Sequence, residues 1–386
     1  MRVLQVIPAY PPSIGYGGAP IVAHKISKIL AARGHRVIVY TTDANDRNNR
    51  INLRTKLMDG IEVHYFRNIS NLLAYNYKIF ISPKMISDMK KGEFDIIHAH
   101  DFRTLQNILV YYFAKKFNIP YLIQPHGKPP LNKDERAKYL KYVFDIVVGN
   151  KILKNSSKIF VLNQREAEQY KSIVHKKNIE IIPNGIDISN YDILPPKGTL
   201  KDKYKISSDH KIILYLGRIH ISKGLDVLIK SFKRLLKKID KVKLIIAGSD
   251  DGYLGHLKQI SISLNIEDKI IFTGFLSHRD KISAYVDADV FVTPTFYGFP
   301  LTFLESMVCA TPIITSNAGD YIKEIDKVGI VVPYDEKELE NALFKVLNNE
   351  SLKERLGINA KKIVKEYDWE KIVDKIEKSY YEAMEK

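Results

Sequence analysis

The chain has 386 residues, 45% of them hydrophobic and 27% charged, a globular composition with length for two domains that excludes a disordered polymer or a single small module. Its one cysteine, Cys309, excludes an internal disulfide and points to a reducing compartment, and no apolar run of about 18 residues exists to make a membrane-spanning helix. The net charge of +16 is uneven, because residues 1–188 carry 29 Lys and Arg against 15 Asp and Glu whereas residues 189–386 carry 31 against 29.

In chain order, apolar strands alternate with amphipathic helical stretches. Val3–Ile7 opens the chain and turns at Pro8, too soon for a secretory leader, so a cytoplasmic location is expected. Strands follow at Val37–Thr41, Glu62–Phe66, Ile96–His98, Tyr121–Gln124, Lys158–Val161 and Glu180–Ile182. After the polar stretch Asn190–His210, with Pro195-Pro196-Lys197-Gly198, they resume at Ile212–Leu216, Lys243–Ala247, Ile270–Thr273, Val290–Thr293, Ile313–Thr315 and Ile330–Val332. The helix Ala19–Arg33 ends at Gly34, a usual C-terminal stop. Such alternation, with continuous Val, Ile and Leu in the strands, predicts parallel sheets covered on both faces. The fold class expected is α/β, with two doubly wound Rossmann-like domains facing a cleft and Asn190–His210 as linker. Ligands of such sheets sit beyond the carboxyl ends of the strands.

Three loops carry the chemistry. Pro8–Pro20 contains Gly15, Gly17 and Gly18, but it lacks the glycine spacing of a dinucleotide fingerprint and the Gly-Lys-Ser/Thr of a P-loop. Leu216–Asp226 places Arg218 and Lys223 just before the helix Leu225–Leu236. Cations there oppose the helix dipole by roughly 0.3–1 kcal/mol each, and an anion held between them, such as a diphosphate, reverses the sign. Thr293–Thr315 runs from a strand through Pro294 and Gly298-Phe299-Pro300 into a helix carrying Glu305, then into another strand. Backbone N–H groups opening that helix favour an anion, and a carboxylate one turn in suits the paired hydroxyls of a ribose.

At this point the residues resemble a family. Gly17-Gly18, Phe94–His100, Gln124-Pro-His-Gly127, Ile182–Asp187, Gly217-Arg218 with Lys223-Gly224, Ala288–Pro294 and Gly298–Pro312 are similar, in order and spacing, to the retaining, nucleotide-sugar-dependent glycosyltransferases of family 4. The resemblance implies the GT-B fold. Residues 1–188 would bind the acceptor, 189–367 would bind the nucleotide sugar, and 368–386 would cross back to the first domain. It implies that Arg218 and Lys223 hold the donor diphosphate and neutralise it as the glycosidic bond breaks. Gly217, and the backbone from Gly298 through Phe299 and Pro300 to Leu301, would line the phosphates. Glu305 would bind the ribose, His126 would face the sugar, and Gly17 and Gly18 would approach the phosphate from the first domain. The activity implied is transfer of a hexose-type sugar from a UDP- or GDP-sugar to a hydroxyl of a glycan, lipid-linked or small-molecule acceptor, with no cofactor and no metal.

Tyr297 departs from the pattern, since the family usually has a glutamate eight residues before Glu305. A phenol cannot accept hydrogen bonds as a carboxylate does, which bears on which sugar is held. Other residues have plainer readings. His98 and His100 are expected to support or pack, not to bind metal, and Asp287 and Asp289 to cap. Asp250 and Asp251 are expected to cap the next helix beside the donor site, and Trp369 to pack the tail. The segment Asn132–Asn155 presents Tyr139, Leu140, Val143, Phe144, Val147 and Val148 as an apolar stripe, either the core face of a helix or a membrane-surface face. The basic first half suits a phospholipid surface or lipid-linked phosphate, or is simply solvated. Nucleic-acid binding finds no supporting motif. A degenerate nucleotide-sugar-binding subunit and a pyridoxal-dependent phosphorylase are the remaining alternatives.

Overall fold

The computed structural model describes residues 1–13, 16, 18–90, 92–127, 139–295 and 301–385. The chain divides into two compact units, Met1–Asn184 with Trp369–Lys386, and Gly185–Asp368, so the divisions fall at Asn184/Gly185 and Asp368/Trp369. Each unit is α/β and built on its own largely parallel sheet.

The first sheet has eight strands: β1 (Arg2–Val6), β2 (Arg36–Thr42), β3 (Thr55–Met58), β4 (Ile61–Phe66), β5 (Ile96–His100), β6 (Tyr121–Gln124), β7 (Lys158–Val161) and β8 (Ile179–Ile181). They lie in the order β3-β4-β2-β1-β5-β6-β7-β8, and β3 alone runs antiparallel to its neighbour among the described strands. Alternate residues of β1 and β2 serve opposite cores. Val3, Val37 and Val39 pack with Ile372, Ile376 and Trp369 of the terminal helix Trp369–Met384, whereas Leu4, Val6, Ile38 and Tyr40 pack with Val110, Phe113 and Ile152. Apolar demand on both faces is why these strands read as unbroken Val, Ile and Leu. Gln5 in β1, with Thr41 and Thr42 at the end of β2, is polar and wholly buried.

Helices α1 (Ala19–Ala32), α2 (Asn71–Tyr77), α3 (Pro83–Met89), α4 (Leu105–Phe117), α5 (Tyr139–Phe144), α6 (Asn150–Asn155) and α7 (Gln164–Tyr170) connect these strands. Two expectations need correcting here. The segment before Glu62, where no strand is expected from the sequence, contains β3, turned onto β4 through Asp59 and Gly60, both at positive φ (50° and 78°). Asp-Gly flanked by strand-forming residues is a tight-hairpin signal. The helix expected over Asn132–Asn155 is, within the described residues, α5, a π turn at Asp145–Gly149 and then α6. The wider turn rotates the following face out of α-helical register. The stripe therefore splits: Val143 and Val147 are exposed, Phe144 and Val148 are half-buried, and Asp145 is buried against Arg103.

The second sheet has β9 (Lys211–Leu216), β10 (Val242–Ala247), β11 (Ile270–Gly274), β12 (Val290–Thr293), β13 (Ile313–Ser316) and β14 (Gly329–Val332), in the order β11-β10-β9-β12-β13-β14. Its helices are α8 (Thr199–Lys203), α9 (Leu225–Leu235), α10 (Leu254–Ser263), α11 (His278–Asp287), α12 (Leu301–Val308), α13 (Ile325–Val328), α14 (Glu336–Leu347) and α15 (Glu350–Ile363). Asn190–His210 is not a bare linker. Tyr191, Leu200 and Ile206 are buried, and the Asp287 carboxylate caps α8 by accepting from the Gly198, Leu200 and Lys201 amides. Strand order reverses between β1 and β5 in the first sheet and between β9 and β12 in the second. In each sheet separately, the loops that leave the carboxyl ends of the two strands at the reversal flank a crevice suited to ligands.

Candidate active site

In the second unit the loops after β9 and β10 run side by side. Ala247 and Ser249 accept from the Gly217 and Ile219 amides at 3.0 and 2.9 Å, and Ile219 accepts from Asp251 at 2.9 Å. This extension of the ladder beyond the sheet requires Gly248, since a Cβ there would lie 1.8 Å from the Gly217 carbonyl oxygen. A Cβ on Gly217 would lie 2.8 Å from the Tyr215 hydroxyl, which itself donates to the Arg218 carbonyl. The backbone around Arg218 is thus fixed from both sides, while its side chain is 69% exposed and donates from Nη1 to Asp251 at 2.6 Å. An exposed pair of this kind contributes little stability, so Arg218 can exchange partners at small cost.

Lys223 ends a 3-10 turn, Ile221–Lys223, that stops at Gly224 in left-handed conformation (φ 65°) before α9 begins. Burial, and after it the Arg218 charge, lowers the Lys223 pKa below its usual 10.5. Keeping this ammonium charged at neutral pH therefore costs stability, and an anion shared with Arg218 would restore it. Asp250 accepts from the Tyr253 and Leu254 amides at 3.0 Å, the expected capping role, whereas Asp251 pairs with Arg218 instead.

The loop after β12 is tied down by hydroxyls. Thr315 donates to the Thr293 carbonyl at 2.9 Å, Ser316 to the Pro294 carbonyl and Thr295 to the Ser222 carbonyl, which joins this loop to the Lys223 turn. Tyr297, Gly298, Phe299 and Pro300 lie outside the described residues. Leu301 opens α12 and is 40% exposed. One turn on, Glu305 receives Lys281 at one carboxylate oxygen and the Tyr285 hydroxyl at the other, 3.1 Å away. Each carboxylate oxygen has a second lone pair, so Glu305 can still accept from a diol. Sequence reasoning did not single out Lys281, Tyr285 or Thr295, because no local pattern links them to Glu305 or Lys223.

In the first unit, Gly17 lies outside the described residues. Gly18 caps α1 at φ −83°, with Pro20 in the first turn, and a Cβ on it would meet nothing within 4 Å among the described residues. The fold itself does not demand glycine there, and open space at a helix N-terminus admits a ligand. His126, at φ 54° just beyond β6, is half-buried. Its Nε2 lies 2.9 Å from His100 Nδ1, the two rings stacked at 5.2 Å. The next residue, Gly127, donates its amide to buried Glu166 at 3.2 Å. His98 and His100 are wholly buried and support this site from beneath, as expected of them. Burial, with the neighbouring imidazoles second, lowers both their pKa values well below the usual 6.5, so both are neutral.

Asp287 caps α8, and Asp289 accepts from the Ile212 amide and Lys353 at 2.8 and 2.7 Å, so neither presents a metal-binding face. Among the described residues no cluster of three or more His, Cys, Asp or Glu is arranged to hold a metal ion. No described helix is long and apolar enough to cross a membrane.

Comparison with known proteins agrees with this geometry. The profile described as Glycosyltransferase Family 4 matches residues 16–190, and that of Glycosyl transferases group 1 matches 196–363. The uncharacterized glycosyltransferase MJ1607 of Methanocaldococcus jannaschii is 26% identical, over 100% of this chain and 99% of its own length. The alpha-monoglucosyldiacylglycerol synthase of Streptococcus pneumoniae is 27% identical, over 92% of this chain and 82% of its own. Anabaena HepE, solved in complex with UDP, superposes with a TM-score of 0.75 at 17% identity, covering 99% of this chain and 100% of that one. With both halves matched, the sheets in place and a cation pair at the switch point of the second unit, the chain is a glycosyltransferase of GT-B fold and belongs to glycosyltransferase family 4.

Proposed function

We propose that this chain moves a hexose-type sugar from a UDP- or GDP-sugar to an acceptor hydroxyl, with retention of anomeric configuration and without a metal. The observation that carries this reading is the placing of Arg218 and Lys223 in one strand-to-helix connection at the N-terminus of α9, on backbone held by Gly217, Gly224 and Gly248. A leaving diphosphate would place negative charge between the two cations, with Arg218 exchanging its exposed contact to Asp251 for the phosphate. Stabilisation of a leaving anion by such donors is commonly the largest catalytic term, and loss of one costs on the order of 10²–10³ in rate. With two side-chain cations in that role, a metal has no necessary place. HepE, solved with UDP, shares the fold; the donor class proposed here rests on the cation pair and not on that likeness.

Glu305, paired with Lys281, would accept from the ribose hydroxyls, and Gly217 with the Gly298–Leu301 backbone would line the phosphates. His126 would face the sugar, with Gly18 open to the ligand. The bond between the anomeric carbon and the diphosphate oxygen breaks as the acceptor oxygen bonds the same face of that carbon. The acceptor proton passes to the departing phosphate oxygen. The acceptor is a glycan, a lipid-linked molecule or a small molecule, and the basic first unit suits an anionic one. Exposed Tyr142, Val143, Ile146 and Val147, with Lys151 and Lys154 exposed nearby, suit peripheral contact with an anionic membrane surface on the cytoplasmic side.

The test is release of nucleoside diphosphate from a panel of UDP- and GDP-sugars with excess EDTA present, with the product's anomeric configuration read by NMR. Turnover in EDTA with an α-donor giving an α-product is expected. An inverted product, or activity that returns only with added divalent metal, would overturn the mechanism. Binding without any turnover would favour the degenerate-subunit alternative.

A further inference from the structure

His126 does not stand alone. A hydrogen-bonded file runs beneath it through the core of the first unit: His126 Nε2 to His100 Nδ1 at 2.9 Å, His100 Nε2 to Gln5 Oε1 at 2.6 Å, Gln5 Nε2 to the Tyr380 hydroxyl at 3.2 Å, and that hydroxyl to His98 Nδ1 at 2.7 Å. Gln5, His98, His100 and Tyr380 are each 0% exposed, so water cannot substitute for any member. The members come from β1, β5, the loop after β6 and the terminal helix.

The chemistry of the file has a direction. An amide oxygen can only accept, so the His100 Nε2 facing Gln5 Oε1 carries the proton. A neutral imidazole with its proton on Nε2 has a lone pair on Nδ1 and must accept there. His126 therefore donates its Nε2–H to His100, and its own lone pair, when neutral, is on Nδ1. The Tyr380 hydroxyl accepts from the Gln5 amide nitrogen and faces His98 Nδ1, so with Tyr380 present the amide can turn only if the whole file reverses with it. Without Tyr380, rotation of the amide would present a donor to His100 Nε2 and reverse the order of protons along the file.

We propose that Gln5, His100 and Tyr380 are positioning residues that set the tautomer of His126, fixing it as the Nε2–H form with Nδ1 as the acceptor nitrogen. This rests on the reading that His126 faces the donor sugar. An imidazole locked in this way offers an acceptor to a sugar hydroxyl, or a donor in the same place once it is protonated. It also explains a glutamine in the centre of an otherwise apolar strand, which packing alone would fill with Val or Ile.

The test does not depend on knowing the donor. Long-range 1H–15N correlation spectra of protein labelled with 15N-histidine distinguish protonated from lone-pair ring nitrogens, and His126 is assigned by the loss of its signals in His126→Gln. Wild type is expected to show His126 and His100 both protonated at Nε2. A His126 protonated at Nδ1 in wild type overturns the proposal without any core variant having to fold. Gln5→Met removes the acceptor at similar volume, and Tyr380→Phe removes only the hydroxyl. Each is expected to mix the two His126 forms and, for whichever UDP- or GDP-sugar wild type turns over, to lower turnover at least about tenfold with its dissociation constant unchanged. Unaltered His126 signals in a folded Gln5→Met variant overturn the proposal. If wild type shows the predicted tautomer but neither binds nor turns over any UDP- or GDP-sugar, the donor reading fails and the tautomer assignment stands.

Discussion

At the scale of single residues, the chemistry depends on where charges and missing side chains lie. Because burial and Arg218 depress the Lys223 pKa, Lys223 loses its proton earlier than an ordinary lysine as pH rises. Diphosphate binding favours the charged form, so nucleotide affinity should fall as pH rises through that depressed value, at a pH below 10.5. Calorimetric titrations of UDP at stepped pH check this, and Lys223→Met should abolish the slope. Gly248 provides a test of geometry. With a methyl group 1.8 Å from the Gly217 carbonyl oxygen, Gly248→Ala must displace the backbone that carries Arg218. Urea unfolding should show a loss of roughly 1–3 kcal/mol. A neutral Gly248→Ala would mean that the two loops do not run together as described.

At the scale of elements, sequence order dictated most of what formed. Thirteen expected strands are present within a residue or two, because buried parallel strands leave short Val, Ile and Leu runs bounded by turn residues. The element missed, β3, is an edge strand, antiparallel, with Thr55, Lys56 and Leu57 exposed, so no apolar alternation announces it. The π turn at Asp145–Gly149 was also illegible, since a single widened turn leaves the sequence looking like a continuous helix. The Arg218 and Lys223 loop was legible because both cations lie within one strand-to-helix connection. Gln5 with Tyr380, 375 residues apart, and Lys281 with Glu305, 24 apart, meet only through the fold. Asp287 shows the same long reach, since it is the last residue of α11 and caps α8. Asp287→Ala should cost roughly 1–2 kcal/mol in thermal unfolding and loosen Asn190–His210 to hydrogen exchange before the rest of the second unit. Unchanged exchange in that stretch would contradict the capping role.

At the scale of the whole molecule, the terminal helix completes the first unit. It buries Trp369, Ile372, Val373, Ile376 and Tyr380 at helical spacing, and Arg33 and His35 both reach Glu377 at 2.7 Å. Burial raises the Glu377 pKa, but the Arg33 and His35 hydrogen bonds outweigh it and the net shift is downward from 4.5. A carboxyl whose folded pKa is depressed contributes stability that is fully present above its unfolded value and is lost as pH falls through the folded one. The gap in melting temperature between wild type and Glu377→Gln should therefore be widest near neutrality and close below about pH 4.3. A gap that does not vary with pH would show that Glu377 docks the helix by packing and not by charge.

The central claim, that Arg218 and Lys223 together hold a nucleoside diphosphate, is tested most directly by thermal unfolding of wild type and Arg218→Ala against UDP, GDP and their sugars. At 100 times its dissociation constant, a ligand of the native state stabilises by about 2.7 kcal/mol, a readily measured rise in Tm. The account predicts that at least one uridine or guanosine compound raises the wild-type Tm and leaves Arg218→Ala unmoved at the same concentration. Equal rises in the two proteins would contradict it, as would a wild type that none of these nucleotides stabilises.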